Sequence, residues 1–266
     1  MALDPDAAAA DRIDTTRPHS ARVWDYWLGG TDHYDADRAL GDQIATAFPH
    51  VVTMTLADRE FMRRSVAHLA EAGIDQFLDI GSGLPTEPNV HQAAQAVRPD
   101  ARVVYVDNDP VVLAHARALL DSAPEGACRY LDADLREPGR ILAEASATLD
   151  LSRPVAVTLM SVLHFITDHG DAASTVGRLM GPLAPGSHVA FTHATDEIGG
   201  PAVKTAFEMW NRNAVQRAQP RTHAQVTGLF AGLEMLEPGV VSPPQWRSGD
   251  PEAKRVPLWA GVARKD

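Results

Sequence analysis

The chain has 266 residues, with 24 Lys and Arg against 35 Asp and Glu, a formal net charge of −11 at pH 7. Its 45% hydrophobic and 22% charged residues are those of an ordinary globular protein, long enough to bury a large core without disulfides. The acidic balance argues against gripping phosphate backbones or anionic membranes, which takes clustered Lys and Arg, and the lone Cys128 excludes an internal disulfide or a multi-cysteine zinc site.

The opening residues are acidic, with no basic segment leading into an apolar block. The longest uncharged apolar stretch, residues 154–167, is shorter than the roughly 20 residues that span a bilayer. A cytoplasmic protein with neither membrane nor nucleic-acid partner is expected. Residues 1–18, rich in Ala and Asp and without periodicity, read as a mobile tail. Residues 19–73 read as a helical cap. Ser20 is placed to cap a first helix that stops at Gly29-Gly30. Helices over 36–48 and 56–72 follow, the second with Phe61, Val66 and Leu69 on its inner face.

After Gly73 short apolar runs alternate with helix-length segments. Strands are expected over 76–80, 102–106, 128–131, 155–160 and 188–192, with helices over 89–97, 111–120, 140–149 and 172–183 between them. Helices over 202–217 and 222–230 and strands over 234–241 and 256–263 complete the chain. Continuous apolar strands such as 155–160 belong to a parallel sheet covered on both faces. The expected fold is α/β: a doubly wound, mostly parallel, Rossmann-like sheet over 74–266 with an N-terminal helical extension.

Such sheets bind ligands beyond the carboxyl ends of their strands. The first strand ends in Asp79-Ile-Gly81-Ser82-Gly83, whose glycines permit a sharp turn and a close approach of backbone to ligand. A dinucleotide would bring a pyrophosphate to this turn, which a carboxylate at Asp79 repels. S-adenosylmethionine carries a sulfonium and an ammonium and no phosphate, so Asp79 can attract it directly or through water. Thr86 also stands where the dinucleotide fingerprint has its third glycine. Asp107 closes the second strand 24 residues after Gly83, near the spacing of a ribose-binding acid; the alternative is that it caps the next helix. At the end of the third strand Asp134 can accept the adenine amino group, with Asp132 competing for that role.

The acidic and glycine positions resemble the class I S-adenosylmethionine-dependent methyltransferases. The longer motifs 21–30 (ARVWDYWLGG), 76–86 (QFLDIGSGLPT), 104–110 (VYVDNDP), 133–136 (ADLR), 162–165 (VLHF) and 237–241 (EPGVV) are similar to one family among them, a former domain of unknown function now called S-adenosyl methyltransferase. The resemblance spans residues 14–265. It implies a seven-stranded sheet with the last strand antiparallel, S-adenosylmethionine as cofactor and S-adenosylhomocysteine as product. The candidate cofactor residues are Asp79, Gly81, Ser82, Gly83, Asp107, Asn108, Asp134, Leu135 and Ser161. The resemblance names no methyl acceptor.

Methyl transfer is an in-line displacement that mainly needs nucleophile and methyl group held about 3 Å apart. A hydroxyl or amine acceptor adds the need to lose a proton. His164, after the fourth strand, and His193, closing the fifth, are the candidate bases; the plainer reading of each is a neutral structural histidine. Phe165 would sit beside the acceptor. Arg22, Trp24, Tyr26, Trp27, His33 and Tyr34, crowded around Gly29 and Gly30, read either as core packing or as a lid that excludes water. Trp246 and Trp259 are expected to pack the last strands, and Glu208, Trp210, Asn211 and Arg212 to shape the acceptor pocket. His164, Asp168, His169 and Asp171 fit no tight metal-ligand spacing, so no metal is expected. The reading is a methyltransferase acting on a small molecule at oxygen or nitrogen, as a monomer or homodimer. The competing readings are a non-catalytic cofactor sensor and, disfavoured by Asp79 and Thr86, a nicotinamide-linked oxidoreductase.

Overall fold

In the computed structural model residues 13–118 and 125–266 are described; the first twelve residues of the expected tail, and residues 119–120 of the expected helix over 111–120, lie outside this part. Seven strands make one sheet: β1 (Gln76–Ile80), β2 (Arg102–Asp107), β3 (Ala127–Asp132), β4 (Ala156–Leu159), β5 (His188–Ala194), β6 (Glu234–Met235) and β7 (Leu258–Arg264). Their order is β3-β2-β1-β4-β5-β7-β6, with β7 antiparallel to both of its neighbours and β1 to β5 mutually parallel. The doubly wound sheet and its antiparallel last strand are as expected. The strand expected over 234–241 is cut to two residues, because Pro238-Gly239 turn the chain, which rejoins β7 only at the Val241–Ala260 bridge.

The helices are α1 (Ser20–Trp27), α2 (Asp35–Ala47), α3 (Val51–Glu71), α4 (Val90–Gln95), α5 (Pro110–Ala118), α6 (Pro138–Ala145), α7 (His169–Met180), α8 (Gly200–Asn213) and α9 (His223–Gly228). Strand periodicity sorts the core into two layers. On β1, Leu78 and Ile80 join Val104, Val157 and Phe191 against Ile141 of α6, Leu179 of α7 and Phe230 after α9. Phe77 joins Val103, Ala156 and Val262 on the other face, against Phe61, Met62, Val66 and Leu69 of α3 and Ala94 of α4. Each such fully buried Val, Leu or Phe contributes about 1.5–3 kcal/mol. Helix α3 therefore covers the sheet, although the sequence places it in the cap, and only α1 and α2 pack away from it, on α8. Trp246 is enclosed with Phe61 of α3, rings 5.3 Å apart, as well as with β7.

The N-terminal entry is anchored. Arg22 donates to the carbonyls of Asp14 and Arg17, Pro18 accepts from Val215 N, and Ile13 packs beside Val111 and Val112, so residues 13–18 are not the free tail the composition suggests. His19 rather than Ser20 occupies the cap position of α1; the Ser20 hydroxyl donates to Gln216 instead. Among the described residues no helix is long and apolar enough to cross a membrane.

Candidate functional site

The alternation on β1 decides where Asp79 points. It shares the face of Phe77, under α3, with Tyr105 and Thr158 as its neighbours on β2 and β4. Thr158 Oγ1 donates to Asp79 Oδ1 at 2.5 Å, and the carboxylate is only 6% exposed. Asp79 is not among the residues lining the cleft; of the two expected routes to a ligand, direct or through water, its burial leaves no direct opening in this structure. Burial pushes its pKa up to about 6, opposed by the Thr158 hydrogen bond and the positive charge of Arg59 on α3.

The turn after β1 is built as the glycines require. Gly81 (φ 75°) and Gly83 (φ 64°) are left-handed, and a Cβ on Gly81 would lie 2.5 Å from Val162 Cγ2. Gly81 N and Ser82 N donate to Val106 O, while Gly83 N donates to Asp107 Oδ2 at 2.8 Å. Asp107 Oδ1 accepts from the amides of Asn108 and Asp109. Its carboxylate thus ties the two loops together on the cleft wall, and burial raises its pKa. Asp109, not Asp107, caps α5, accepting from Val111 N at 2.9 Å.

Beyond this turn lies a cleft whose empty space, open mouth included, is about 970 Å³. Gly81, Ser82, Gly83, Asp107, Asn108, Asp134, Leu135 and Ser161 all line it, so eight of the nine candidate cofactor residues come together. Asp134 accepts from Asn108 Nδ2 and pairs with Arg136 at 3.2 Å. It lines the cleft and Asp132 does not, which separates the two competitors. Ser161 holds a left-handed φ of 50°, a strained conformation for a residue with a side chain. Its amide donates to Thr192 Oγ1 at 2.8 Å, and its hydroxyl donates to Asp58 Oδ1 at 3.1 Å. Thr192 Oγ1 donates to the same carboxylate oxygen. Burial pushes Asp58 up to about 6. Arg59 borders the cleft beside Asp58 and donates to the carbonyls of Thr86 and Pro88.

The fourth wall is α1. Ala21, Trp24, Asp25 and Leu28, spaced as one helical stripe, line the cleft. Arg22 and Tyr26 point away from it. The Arg22 guanidinium sits 5.3 Å over the Tyr34 ring, its Nε 3.6 Å from Asp37 and 3.7 Å from Asp109; Tyr26 donates to Asp42 at 2.6 Å. Gly30 N donates to Asp25 O, and Gly29 is exposed. None of Arg22, Tyr26, Gly29, Gly30 and Tyr34 lines the cleft; these residues fasten α1 in place.

The two histidines have separate surroundings. His193, expected on the rim, is 0% exposed and lines neither this cleft nor the second cavity described below. Its Nδ1 donates to Ala194 O at 2.8 Å, leaving Nε2 to accept from Arg221 at 2.7 Å. Burial, with Arg221 adding to it, brings its pKa down to about 3. Arg221 also donates to Ile166 O and Asp168 O, bracing the loop between β4 and α7. Asp168 caps α7, accepting from Asp171 N. His164 borders a second, apolar cavity, with Phe165 and His193 at ring distances of 4.3 and 5.9 Å. Burial first, with the neighbouring His193 and Arg221 adding to it, lowers its pKa far enough to keep it neutral. Of Glu208, Trp210, Asn211 and Arg212, only Trp210 lines that cavity.

The sequence profile of the S-adenosyl methyltransferase family matches residues 6–266, nearly the whole chain. The chain belongs to this family. Among solved structures it is similar to a DUF574 family protein from Streptomyces avermitilis, with 44% identity over 96% of this chain and 100% of that one and a TM-score of 0.92. It is also similar to a proposed methyltransferase from Thermobifida fusca, with 39% identity over 100% of both chains and a TM-score of 0.87. Human N-acetylserotonin methyltransferase in complex with S-adenosylmethionine shares the fold at 14% identity, covering 98% of this chain and 65% of that one, TM-score 0.51. No curated protein matches.

The cofactor of an S-adenosyl methyltransferase is S-adenosylmethionine, and the donor set suits its charges: carboxylates on and beneath the wall, and the guanidinium groups of Arg59 and Arg136. The sequence reading missed Asp58, Arg59 and Asp25 here. One signal was available, since Asp58 stands three residues before Phe61 on the inner stripe of an amphipathic helix, where a charge needs a reason.

Proposed function

We propose that this methyltransferase methylates an oxygen or nitrogen of a small molecule, with its cofactor held in the cleft above Gly81–Gly83. The observation that carries the reading is the set of three buried carboxylates at the crest of the sheet, Asp58, Asp79 and Asp107, each held above its ordinary pKa by burial, with Arg59 acting on the first two. Such a concentration of negative charge is costly alone and favourable toward a cation. When bound, S-adenosylmethionine supplies an activated methyl on a positively charged sulfur.

The protein's share is holding and orienting. Asp107 would accept from the ribose hydroxyls and Asp134 from the adenine amino group, while Gly81 and Gly83 leave room for close approach. Asp58 and Arg59, adjacent on α3, are of opposite charge and would take the ammonium and carboxylate of the amino acid end. Trp24 and Phe165 would shield the reacting atoms from water. His164, held neutral, would orient the acceptor rather than take its proton. Calorimetry with S-adenosylmethionine and S-adenosylhomocysteine tests this. Both should bind, and Asp107→Ala should weaken binding at least about tenfold through two lost hydrogen bonds. Absence of heat at high protein concentration, or an Asp107→Ala protein that binds as the parent does, would count decisively against it.

A further inference from the structure

A second cavity, about 570 Å³ with its mouth, lies between α1, α2 and α8. Aromatic rings dominate it: Trp27, Phe48, Phe207 and Trp210, with Trp24 and Phe165 belonging to both this cavity and the cofactor cleft. The two spaces are therefore neighbours across a Trp–Phe pair. His164 is the only titratable residue among the described residues that line it. The imidazole is 6% exposed, and its Nδ1 is sealed from solvent with no hydrogen-bond partner. Folded proteins rarely leave a buried polar atom so, and a turn of the ring that brought this nitrogen to a ligand in the cavity would relieve the cost. No side chain in the cavity offers a charge to match a charged ligand, which would lose its hydration among rings. Flat apolar ligands gain from such walls.

We propose that this cavity holds the methyl acceptor and that the acceptor is an uncharged ring compound of about naphthol size whose hydroxyl or N–H hydrogen-bonds to His164. This rests on the cofactor occupying the neighbouring cleft. His164 is then a positioning and specificity group. A turn of the imidazole would bring its unpartnered Nδ1 to the accepting group, while the rings fix the plane of the ligand.

Equilibrium dialysis of 2-naphthol against the full chain, saturated with S-adenosylhomocysteine, tests the proposal. Expected are saturable binding of 2-naphthol, binding of 2-methylnaphthalene weaker by about three- to tenfold for want of the hydroxyl, and no measurable binding of cationic 2-naphthylmethylamine. In His164→Phe the preference for 2-naphthol over 2-methylnaphthalene should fall to about one, a ratio that does not depend on how much of the variant is folded. Ala206→Phe, which places a ring in the cavity, should weaken both ligands by at least about tenfold. The proposal is overturned by absence of saturable naphthol binding, by displacement of naphthol with S-adenosylhomocysteine, by equal binding of the cation, or by a His164→Phe protein that keeps the preference. Binding of S-adenosylhomocysteine without binding of naphthol would refute this inference while leaving the cofactor reading intact.

Discussion

Asp79→Asn separates what this carboxylate does for a ligand from what it does to the fold. Asp79 is 6% exposed and accepts the Thr158 hydroxyl, a bond that the amide oxygen of Asn preserves. The substitution removes a charge whose burial lifts the carboxyl pKa from 3.8 to about 6. With the folded value above the unfolded one, the protonated carboxyl stabilises the fold below about pH 4, and that contribution is lost as the pH rises through about 6. A rise of this size corresponds to about 3 kcal/mol held against the ligand-free fold at neutral pH. The Asn protein is therefore expected to exceed its parent in stability by up to about 3 kcal/mol at pH 7, the gap closing toward pH 4. Urea unfolding of both proteins from pH 7 down to pH 4 measures the gap. Asp58 and Asp107, also raised, are common to both proteins and drop out of the difference to first order. The same variant should bind S-adenosylmethionine about tenfold more weakly and S-adenosylhomocysteine less so, since only the former carries a sulfonium. A parent as stable as the variant at pH 7, or a gap indifferent to pH, would refute the reasoning.

Gly81→Ala should cost about 2–4 kcal/mol, combining the left-handed backbone with overlap on Val162, whereas Gly83→Ala, whose added methyl meets nothing within 4 Å, should cost only about 1–2 kcal/mol; denaturant midpoints rank the pair. Arg221→Leu strips donors from Ile166 O, Asp168 O and His193 and should destabilise by on the order of 3 kcal/mol or more, read as a lowered melting temperature. Arg59→Met should weaken S-adenosylmethionine and S-adenosylhomocysteine alike, by about tenfold in calorimetry, because both carry the carboxylate it would face. That contrasts with the selective effect expected of Asp79→Asn.

Much of the architecture was readable along the chain because its causes are local. Uninterrupted apolar runs of five or six residues separated by helical periods announce a covered parallel sheet, and the glycines of 81–83 announce a tight turn whatever surrounds them. Acids at the ends of β2 and β3 were recognisable because strand ends are where such sheets bind. The errors share a physical origin too. The aromatic and charged residues of α1 were visible, but nothing local says which stripe looks into the cleft, so Arg22, Trp24 and Tyr26 stood together where Trp24, with Asp25, does the lining.

The elements, their order and the turn under the ligand follow from neighbours within a few residues, which any stretch of this sequence carries with it. Which way those elements face does not. Asp79 lies under α3 because that helix covers its side of the sheet. Asp58 reaches Ser161 across 103 residues of chain, and His193 loses its lone pair to Arg221, 28 residues on. Packing alone brings such partners together, and with them the burial that sets their charge, so the electrostatics of the cleft and the separate aromatic cavity come into being with the folded chain.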